Sequence, residues 1–311
     1  MTTLGSPAIV PEMKKRAPAA NAEFPEIVDV LRSLQKRNKT KPRVPKGGDR
    51  IGFSFSTRDR YLFTLQSIKN LDTDGGYDLI WNDGSRETGV PALARNYKFQ
   101  NANLVEVNYG VTGGADAAIC FGLSRLLKLG YDYVGLIEND ILFRPGWFSA
   151  LLKLFSQGAE DGIVCGSATA RSFESHVLEY RSGYSVQSDI GAGMALFSRA
   201  AAEIIIEKYS NPSSLQLTTH SWQKYYADRF GIDLRTFSPF WAYPPEKAFP
   251  CTLDWGYTPS LYLRGYASLA TIPSYASDLE FDVETFFHTK YVSEEKSNTG
   301  VPYPRLPLPA K

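Results

Sequence analysis

The sequence predicts an α/β fold in which a mostly parallel sheet is flanked by helices on both faces. Between residues 51 and 160, short apolar segments typical of strands alternate with segments in which apolar residues recur at helical spacing. Residues 133–137 are apolar throughout, as expected of a strand that helices cover on both sides. Alternation of this kind favours parallel strands joined by helical crossovers.

The regular elements begin at residue 51. Asp59 is expected to cap the helix that follows the first strand. Gly113-Gly114 is expected to begin the helix after the third strand. Pro145 is expected to begin the next helix, because proline is common at the first helical position. The predicted strands are residues 51–57, 78–81, 104–107 and 133–137.

Composition divides the chain into four parts. Residues 1–50 form a basic leader, which we expect to be partly disordered or to contain a loosely docked helix. Residues 51–160 are the regular half, and residues 161–290 are a less regular half rich in aromatic residues. Residues 291–311 form a proline-rich tail that is expected to be extended. The second half contains predicted strands at 163–166 and 193–197 and predicted helices at 199–209 and 222–230.

Charge and cysteine content exclude several classes of function. The net charge of +1 gives no overall attraction to nucleic acid. The three cysteines form no Cys-x-x-Cys pair, which disfavours a zinc ribbon and favours buried thiols in a reducing compartment. No apolar run approaches the ~20 residues that cross a bilayer, and the N-terminus lacks the apolar core of a signal peptide. The sequence therefore predicts a cytoplasmic protein, whose basic leader is either solvated or in peripheral contact with an anionic membrane face.

The strongest chemical signal is Glu138-Asn139-Asp140, at the end of the fourth predicted strand. Residues two apart in a strand face the same side, so Glu138 and Asp140 could approach one hard cation such as Mg²⁺ or Mn²⁺. The carboxyl ends of strands are where α/β sheets bind ligands. The same residues also suit an ordinary acidic turn between strand and helix, and the segment alone does not separate the two interpretations.

Two further segments follow strands. Asp83, in Asn82-Asp83-Gly84-Ser85, could accept hydrogen bonds from a nucleobase, although Asp-Gly is also a common turn pair. Residues 108–115 contain glycines before a helix, which would let the backbone approach a phosphate or would simply form a tight turn. No G-x-G-x-x-G fingerprint and no Walker A sequence is present.

The order of these motifs resembles the inverting glycosyltransferases of family two, which have the GT-A fold. Members of that family end their first strand in Thr or Ser near an Arg and carry an Asp-Gly-Ser turn after the second strand. An Asn-x-Gly segment then leads into an Ala-rich helix, and a D-x-D-type metal motif precedes Pro-Gly-Trp. The resemblance covers about residues 51–200 well and about residues 250–266 loosely. The matching positions in this chain are Thr57, Arg58, Asp83, Asn108, Gly110, Glu138 and Asp140.

The resemblance implies transfer of a sugar from a nucleoside-diphosphate sugar to the hydroxyl of a glycan or lipid-linked acceptor. Residues 51–160 would be the nucleotide-sugar-binding half, and residues 161–290 the acceptor and catalytic half. Asp83 resembles the carboxylate that reads the base, and Thr57 and Arg58 the residues that contact nucleoside or phosphate. Gly191 lies in a segment that resembles a Gly-rich strand close to the donor sugar.

The resemblance also implies a Mn²⁺ or Mg²⁺ cofactor. Asp140 resembles the direct metal ligand, and Glu138, which replaces the usual Asp, resembles its partner. His288 matches a late His that some members place on the metal or diphosphate, although a lone His is more often structural. Asp254 is the candidate catalytic base for the acceptor hydroxyl, and its competing interpretation is a helix N-cap.

Two other functions stay open from the sequence. A sugar-phosphate nucleotidyltransferase shares the architecture, but residues 51–60 lack the Gly-rich loop that usually follows the first strand in those enzymes. A non-catalytic carbohydrate-binding protein on a decayed GT-A fold would explain why Glu138 replaces Asp and why Leu253 precedes Asp254 in place of an acidic residue.

Overall fold

A computed structural model describes residues 42–111, 114–169, 177–187, 190–191, 193–208, 258, 261 and 264–278. Its strands are β1 (Ile51–Thr57), β2 (Asp78–Asp83), β3 (Asn103–Tyr109), β4 (Tyr133–Glu138), β5 (Ile141–Phe143), β6 (Ile163–Ser167), β7 (Val177–Arg181), β8 (Tyr184–Gln187), β9 (Met194–Ser198), β10 (Ala267–Thr271) and β11 (Ala276–Asp278). Its helices are α1 (Tyr61–Leu71), α2 (Gly89–Asn96), α3 (Gly114–Lys128), α4 (Trp147–Gln157) and α5 (Arg199–Lys208).

The described strands form one large sheet and one small one. The large sheet has nine strands in the order β3-β2-β1-β4-β9-β6-β10-β8-β7, and β5 pairs with β11 in the small sheet. Seven of the nine strands run in one direction, and β8 and β9 are reversed. The sheet is therefore mixed but mostly parallel, and the prediction of an α/β fold is confirmed.

Helices cover both faces of the sheet. Leu79 and Trp81 of β2 belong to one buried cluster, which also contains apolar residues of α1 and α4. Ile80, between them, belongs to a second buried cluster with residues of α3 and α5. Successive residues of a strand point to opposite faces, so this alternation shows that β2 is buried on both sides. The long apolar runs in the sequence arise from this double burial.

Two expectations about helix starts are wrong. Arg60, not Asp59, stands at the N-cap of α1, and no side chain caps that helix. The helix expected at Pro145 begins at Trp147, because Gly146 has a left-handed backbone with φ of 86°. Pro145 therefore lies in the turn before α4.

The other predicted elements within the described residues are present, with ends that differ by one or two residues. The helix expected at 199–209 is confirmed as α5, whereas the helix expected at 222–230 lies outside the described residues. Most of the leader and the whole proline-rich tail also lie outside them. Within the described part of the chain, no helix is long and apolar enough to cross a membrane.

Candidate functional site

Three neighbouring parallel strands bring the predicted site residues to one edge of the sheet. In the register between β1 and β2, Thr57 is paired with Asp83, and in that between β1 and β4, Ser56 is paired with Glu138. Asp83 and Glu138 therefore lie on opposite sides of the end of β1. Because neighbouring strands are about 4.8 Å apart, the backbones of these two residues are separated by about 10 Å.

Asp83 is the most buried carboxylate of this edge, with 1% of the residue exposed. Its Oδ1 accepts hydrogen bonds from Thr57 Oγ1 at 2.9 Å, Ser85 Oγ at 2.6 Å and the Ser85 backbone N–H at 3.1 Å. Thr57 Oγ1 in turn accepts a hydrogen bond from Trp81 Nε1 at 2.9 Å. Among the described residues, none donates to Oδ2, so the network fixes the carboxylate through one oxygen and leaves the other for a further donor.

The turn after Asp83 is packed closely between the end of β1 and the segment that follows β3. The Gly84 N–H donates to the Thr57 carbonyl oxygen at 2.8 Å, and the Val111 N–H donates to the Asp83 carbonyl oxygen at 3.0 Å. A Cβ on Gly84 would lie 2.3 Å from the Val111 carbonyl oxygen, so only glycine fits there. Asp83-Gly84 is thus a true turn, and the turn presents a buried carboxylate.

Asn108 and Gly110 lie beside Asp83 at the end of β3. Asn108 Nδ2 donates to Asn82 Oδ1 at 2.9 Å, and Asn82 Nδ2 donates to Ser54 Oγ at 2.7 Å. The side chain of Asn108 is thus held by a series of hydrogen bonds that links β3, β2 and β1. Gly110 has φ of 71°, a left-handed conformation that favours glycine.

The loop between β1 and α1 joins this region to the end of β4. Arg58 is half-buried in the loop, and its side chain makes no hydrogen bond to the described residues. Asp59 and Arg60 both have left-handed backbones, with φ of 55° and 57°. Asp59 contacts the loop after β2: its N–H donates to Ser85 Oγ at 2.7 Å. Its Oδ1 accepts from the backbone N–H groups of Arg86 at 2.8 Å and Glu87 at 3.0 Å.

Glu138, Asn139 and Asp140 form the tip of β4. The Glu138 N–H donates to the Gly193 carbonyl oxygen at 2.9 Å, and Asp140 Oδ2 accepts from Arg60 Nη1 at 2.9 Å. Asn139 is buried and donates to Thr64 Oγ1 at 2.9 Å, which fastens the turn to α1. Glu138 and Asp140 are both less buried than Asn139. β4 ends at Glu138, so Asn139 and Asp140 lie in the turn after it and strand alternation does not apply to Asp140.

The donor set at this tip fits a hard divalent cation. Carboxylate oxygens are the ligands that Mg²⁺ and Mn²⁺ prefer, and these cations need few protein carboxylates when phosphate oxygens complete the coordination. Within the described ranges, no group of three or more His, Cys, Asp or Glu side chains could hold a metal ion. Glu138 and Asp140 would therefore need oxygens from a bound ligand or from residues outside those ranges.

The remaining candidate residues belong to the second half of the chain. Gly191 lies outside the strands, and β9 begins at Met194, so of the described residues in the segment expected as a Gly-rich strand only Met194 belongs to a strand. Asp254 and His288 lie outside the described residues. The sequence interpretation missed Arg60 and Asn139. The one signal available for Asn139 was its position as an uncharged residue between two carboxylates.

Comparison with known proteins gives only distant likenesses. No family model matches the chain, and no curated protein matches it. Among solved structures, it is similar to a mannosyltransferase, PcManGT from Pyrobaculum calidifontis in complex with GDP-Man and Mn²⁺, at 15% identity and a TM-score of 0.38. That alignment covers 60% of this chain and 54% of the other.

It is also similar to TarS of S. aureus. For residues 1–349 of TarS, the identity is 8%, the TM-score is 0.35, and the alignment covers 52% of this chain and 49% of the other. In the second TarS structure, the values are 8% and 0.35, with 51% of this chain and 29% of the other covered. The aligned part thus spans about half or less of each of these proteins.

Proposed function

We propose that the protein is a divalent-metal-dependent, inverting glycosyltransferase that moves a sugar from a nucleoside-diphosphate sugar to a hydroxyl acceptor on a glycan or polysaccharide precursor. The observation that carries this proposal is the shared sheet edge of Asp83 and the Glu138–Asp140 tip. One end of that edge offers a buried hydrogen-bond acceptor, and the other offers carboxylates suited to a cation. A nucleoside diphosphate can use both groups: the acceptor for an N–H of its base, and the carboxylate-bound cation for its phosphates.

Asp83 is suited to reading the base. Its Oδ1 is occupied by Thr57 and Ser85, so Oδ2 would accept the imide N–H of uracil or thymine, or the N1–H of guanine. Because the carboxylate is fixed before the ligand arrives, little ordering entropy is lost when the base binds. Burial also removes the competing water that would weaken this hydrogen bond.

Glu138 and Asp140 would hold the cation, which would neutralise the charge that develops on the departing nucleoside diphosphate. Asn139 supports them by fastening the turn to Thr64 Oγ1. Thr57 and Arg58 lie between the base and phosphate positions. Thr57 would act through Asp83, to which its hydroxyl donates, and the Arg58 guanidinium would contact the ligand. Gly191, in the loop before β9, would border the donor sugar.

Asp254 would act as the catalytic base. In a single displacement, the acceptor oxygen forms a bond to the anomeric carbon as the bond to the diphosphate oxygen breaks. The acceptor proton passes to the Asp254 carboxylate. His288 would reach the cation or the diphosphate from the C-terminal part of the chain.

The test is release of nucleoside diphosphate from UDP-, GDP- and dTDP-sugars in the presence of Mn²⁺, with water as the acceptor while the natural one is unknown. Asp140→Asn is expected to lower that release by about 100-fold. The variant should still fold, because the amide oxygen of Asn can accept the hydrogen bond from Arg60. Glu160→Gln is a matched control, because Glu160 is exposed after α4. Unchanged release in Asp140→Asn would refute the metal assignment.

Two outcomes would replace the proposal. Pyrophosphate release from a sugar phosphate and a nucleoside triphosphate would identify a nucleotidyltransferase. Absence of metal-dependent binding of UDP, GDP or dTDP, measured by calorimetry, would favour a non-catalytic carbohydrate-binding protein.

A further inference from the structure

Arg60 forms an ion pair with one of the two carboxylates assigned to the cation. Its Nη1 lies 2.9 Å from Asp140 Oδ2, and the two side chains are only 17% and 15% exposed. The guanidinium carbon also lies 5.9 Å from the centre of the Phe63 ring. An ion pair that is mostly shielded from water is stronger than one on an open surface.

The backbone is built to hold Arg60 in this place. Two consecutive non-glycine residues with left-handed φ are unusual and costly, and they persist where the surroundings impose them. Three hydrogen bonds between Asp59 and the loop after β2, one donated by its N–H and two accepted by its carboxylate, supply that constraint. The same loop carries Ser85, which orients Asp83. The segment Asp59–Arg60 thus contacts both the base-reading region and the cation tip.

We propose that Arg60 is a positioning residue that exchanges partners when substrate binds, an inference that rests on the proposed function. Without a nucleotide, its guanidinium neutralises Asp140 and opposes entry of a cation. When a nucleoside diphosphate arrives with its cation, the cation takes over Asp140. The guanidinium then contacts the phosphate oxygens, which match its forked donors. Cation and nucleotide therefore bind together, and neither binds tightly alone.

This exchange has opposite consequences for two equilibria. Removing the guanidinium takes away a positive charge beside the cation position, so Mn²⁺ alone should bind more tightly. We expect about a threefold to tenfold decrease in its dissociation constant, because close like charges repel strongly even when partly screened. Removing the same group also takes away a phosphate contact, so nucleoside diphosphate should bind more weakly in saturating Mn²⁺, by about tenfold.

The experiment compares the full chain with Arg60→Gln. Binding of Mn²⁺ alone is measured from the electron paramagnetic resonance signal of the free ion. Binding of UDP, GDP and dTDP in saturating Mn²⁺ is measured by calorimetry. Arg50→Gln is the matched control, because Arg50 also pairs with an aspartate, Asp78, but at the opposite end of the sheet. It should match the wild type in both measurements.

A second variant guards against misfolding. Arg60→Gly accepts the left-handed backbone and lacks the guanidinium, so it should show the same opposite changes as Arg60→Gln. Weaker binding of both Mn²⁺ and nucleotide in these variants would mean that Arg60 is merely structural, and would overturn the inference. So would unchanged Mn²⁺ affinity. If the wild type binds no nucleoside diphosphate with Mn²⁺, the proposed function fails first, and this inference fails with it.

Discussion

Replacing Asp83 by asparagine tests whether the buried carboxylate reads a base. The substitution keeps the shape of the side chain, and Thr57 and Ser85 can still donate to the amide oxygen, as they do to Oδ1 at 2.9 Å and 2.6 Å. Those hydrogen bonds become weaker because their acceptor is no longer charged. This loss is partly offset, because folding no longer removes a charged carboxylate from water. We therefore expect the free energy of unfolding to change by less than about 2 kcal/mol.

Nucleotide binding should respond much more strongly. In the variant, the amide NH₂ group replaces Oδ2 and faces the N–H of the base. Two donors then face each other, so the hydrogen bond to the charged acceptor is lost. The loss of such a bond costs about 1.5–3 kcal/mol, which corresponds to roughly tenfold to 100-fold in affinity. A base with an acceptor at the same place, as cytosine has at N3, should suffer less, so the preference should move toward CDP.

Calorimetry with UDP, GDP, dTDP and CDP in saturating Mn²⁺ measures both expectations, and urea unfolding measures stability. Glu160→Gln again serves as the control, since it removes an exposed carboxylate far from Asp83. If Asp83→Asn binds the preferred nucleotide as tightly as the wild type does, Asp83 does not contact the base. A large loss of stability with unchanged nucleotide preference would mean that the carboxylate serves only the turn.

Substitutions at three further positions test the residues that support the site. Gly122→Ala would place a Cβ 2.2 Å from Ser54 Oγ, so α3 must move away from β1, and we expect a loss of about 1–3 kcal/mol in unfolding free energy by urea titration. Asp59→Ala should release the loop after β2 and weaken nucleotide binding several-fold in calorimetry, whereas Asp59→Asn, which keeps the acceptor oxygen, should not. The hydrogen bond from Arg125 lowers the pKa of Glu106 below its ordinary value of 4.5, so this contribution to stability is present above pH 4.5 and disappears as acid protonates the folded carboxyl. Glu106→Gln should therefore flatten the fall in unfolding midpoint below that pH, and an unchanged slope would contradict the assignment.

The central strands could be predicted from the sequence, because their own residues show the apolar pattern of a buried strand. β4 is apolar over most of its length, and β1 carries Ile51, Phe53 and Phe55 at every second position, so both could be recognised without knowing their neighbours. β10 is also fully buried, yet its sequence Ala-Ser-Leu-Ala-Thr is small and polar enough to resemble a loop. Its burial comes from lying between β6 and β8, whose residues are far away in the chain. Such strands depend on tertiary packing, which local patterns do not record.

The candidate site likewise has features that the local sequence predicts and features that depend on tertiary packing. The placement of Asp83 and Glu138 at one edge of the sheet could be predicted, because strand ends are visible in the sequence and parallel strands end at one edge. The pairing of Arg60 with Asp140 could not, because it joins residues 80 apart and depends on left-handed backbones at two residues that rarely adopt them. Asn139 similarly meets Thr64 across 75 residues. Long-range polar contacts are set by tertiary packing, so the local sequence does not predict them.

The two ends of the candidate site stabilise their carboxylates by different means. Asp83 is surrounded by hydroxyl and amide donors, whereas Asp140 is neutralised by a full positive charge. A carboxylate held by neutral donors can accept one more neutral N–H without giving up a partner, which suits a base. A carboxylate held by a guanidinium binds a cation more readily when the guanidinium gains another anion. A diphosphate brings that anion, so the charge pattern itself favours a ligand with a neutral donor at one end and phosphates at the other.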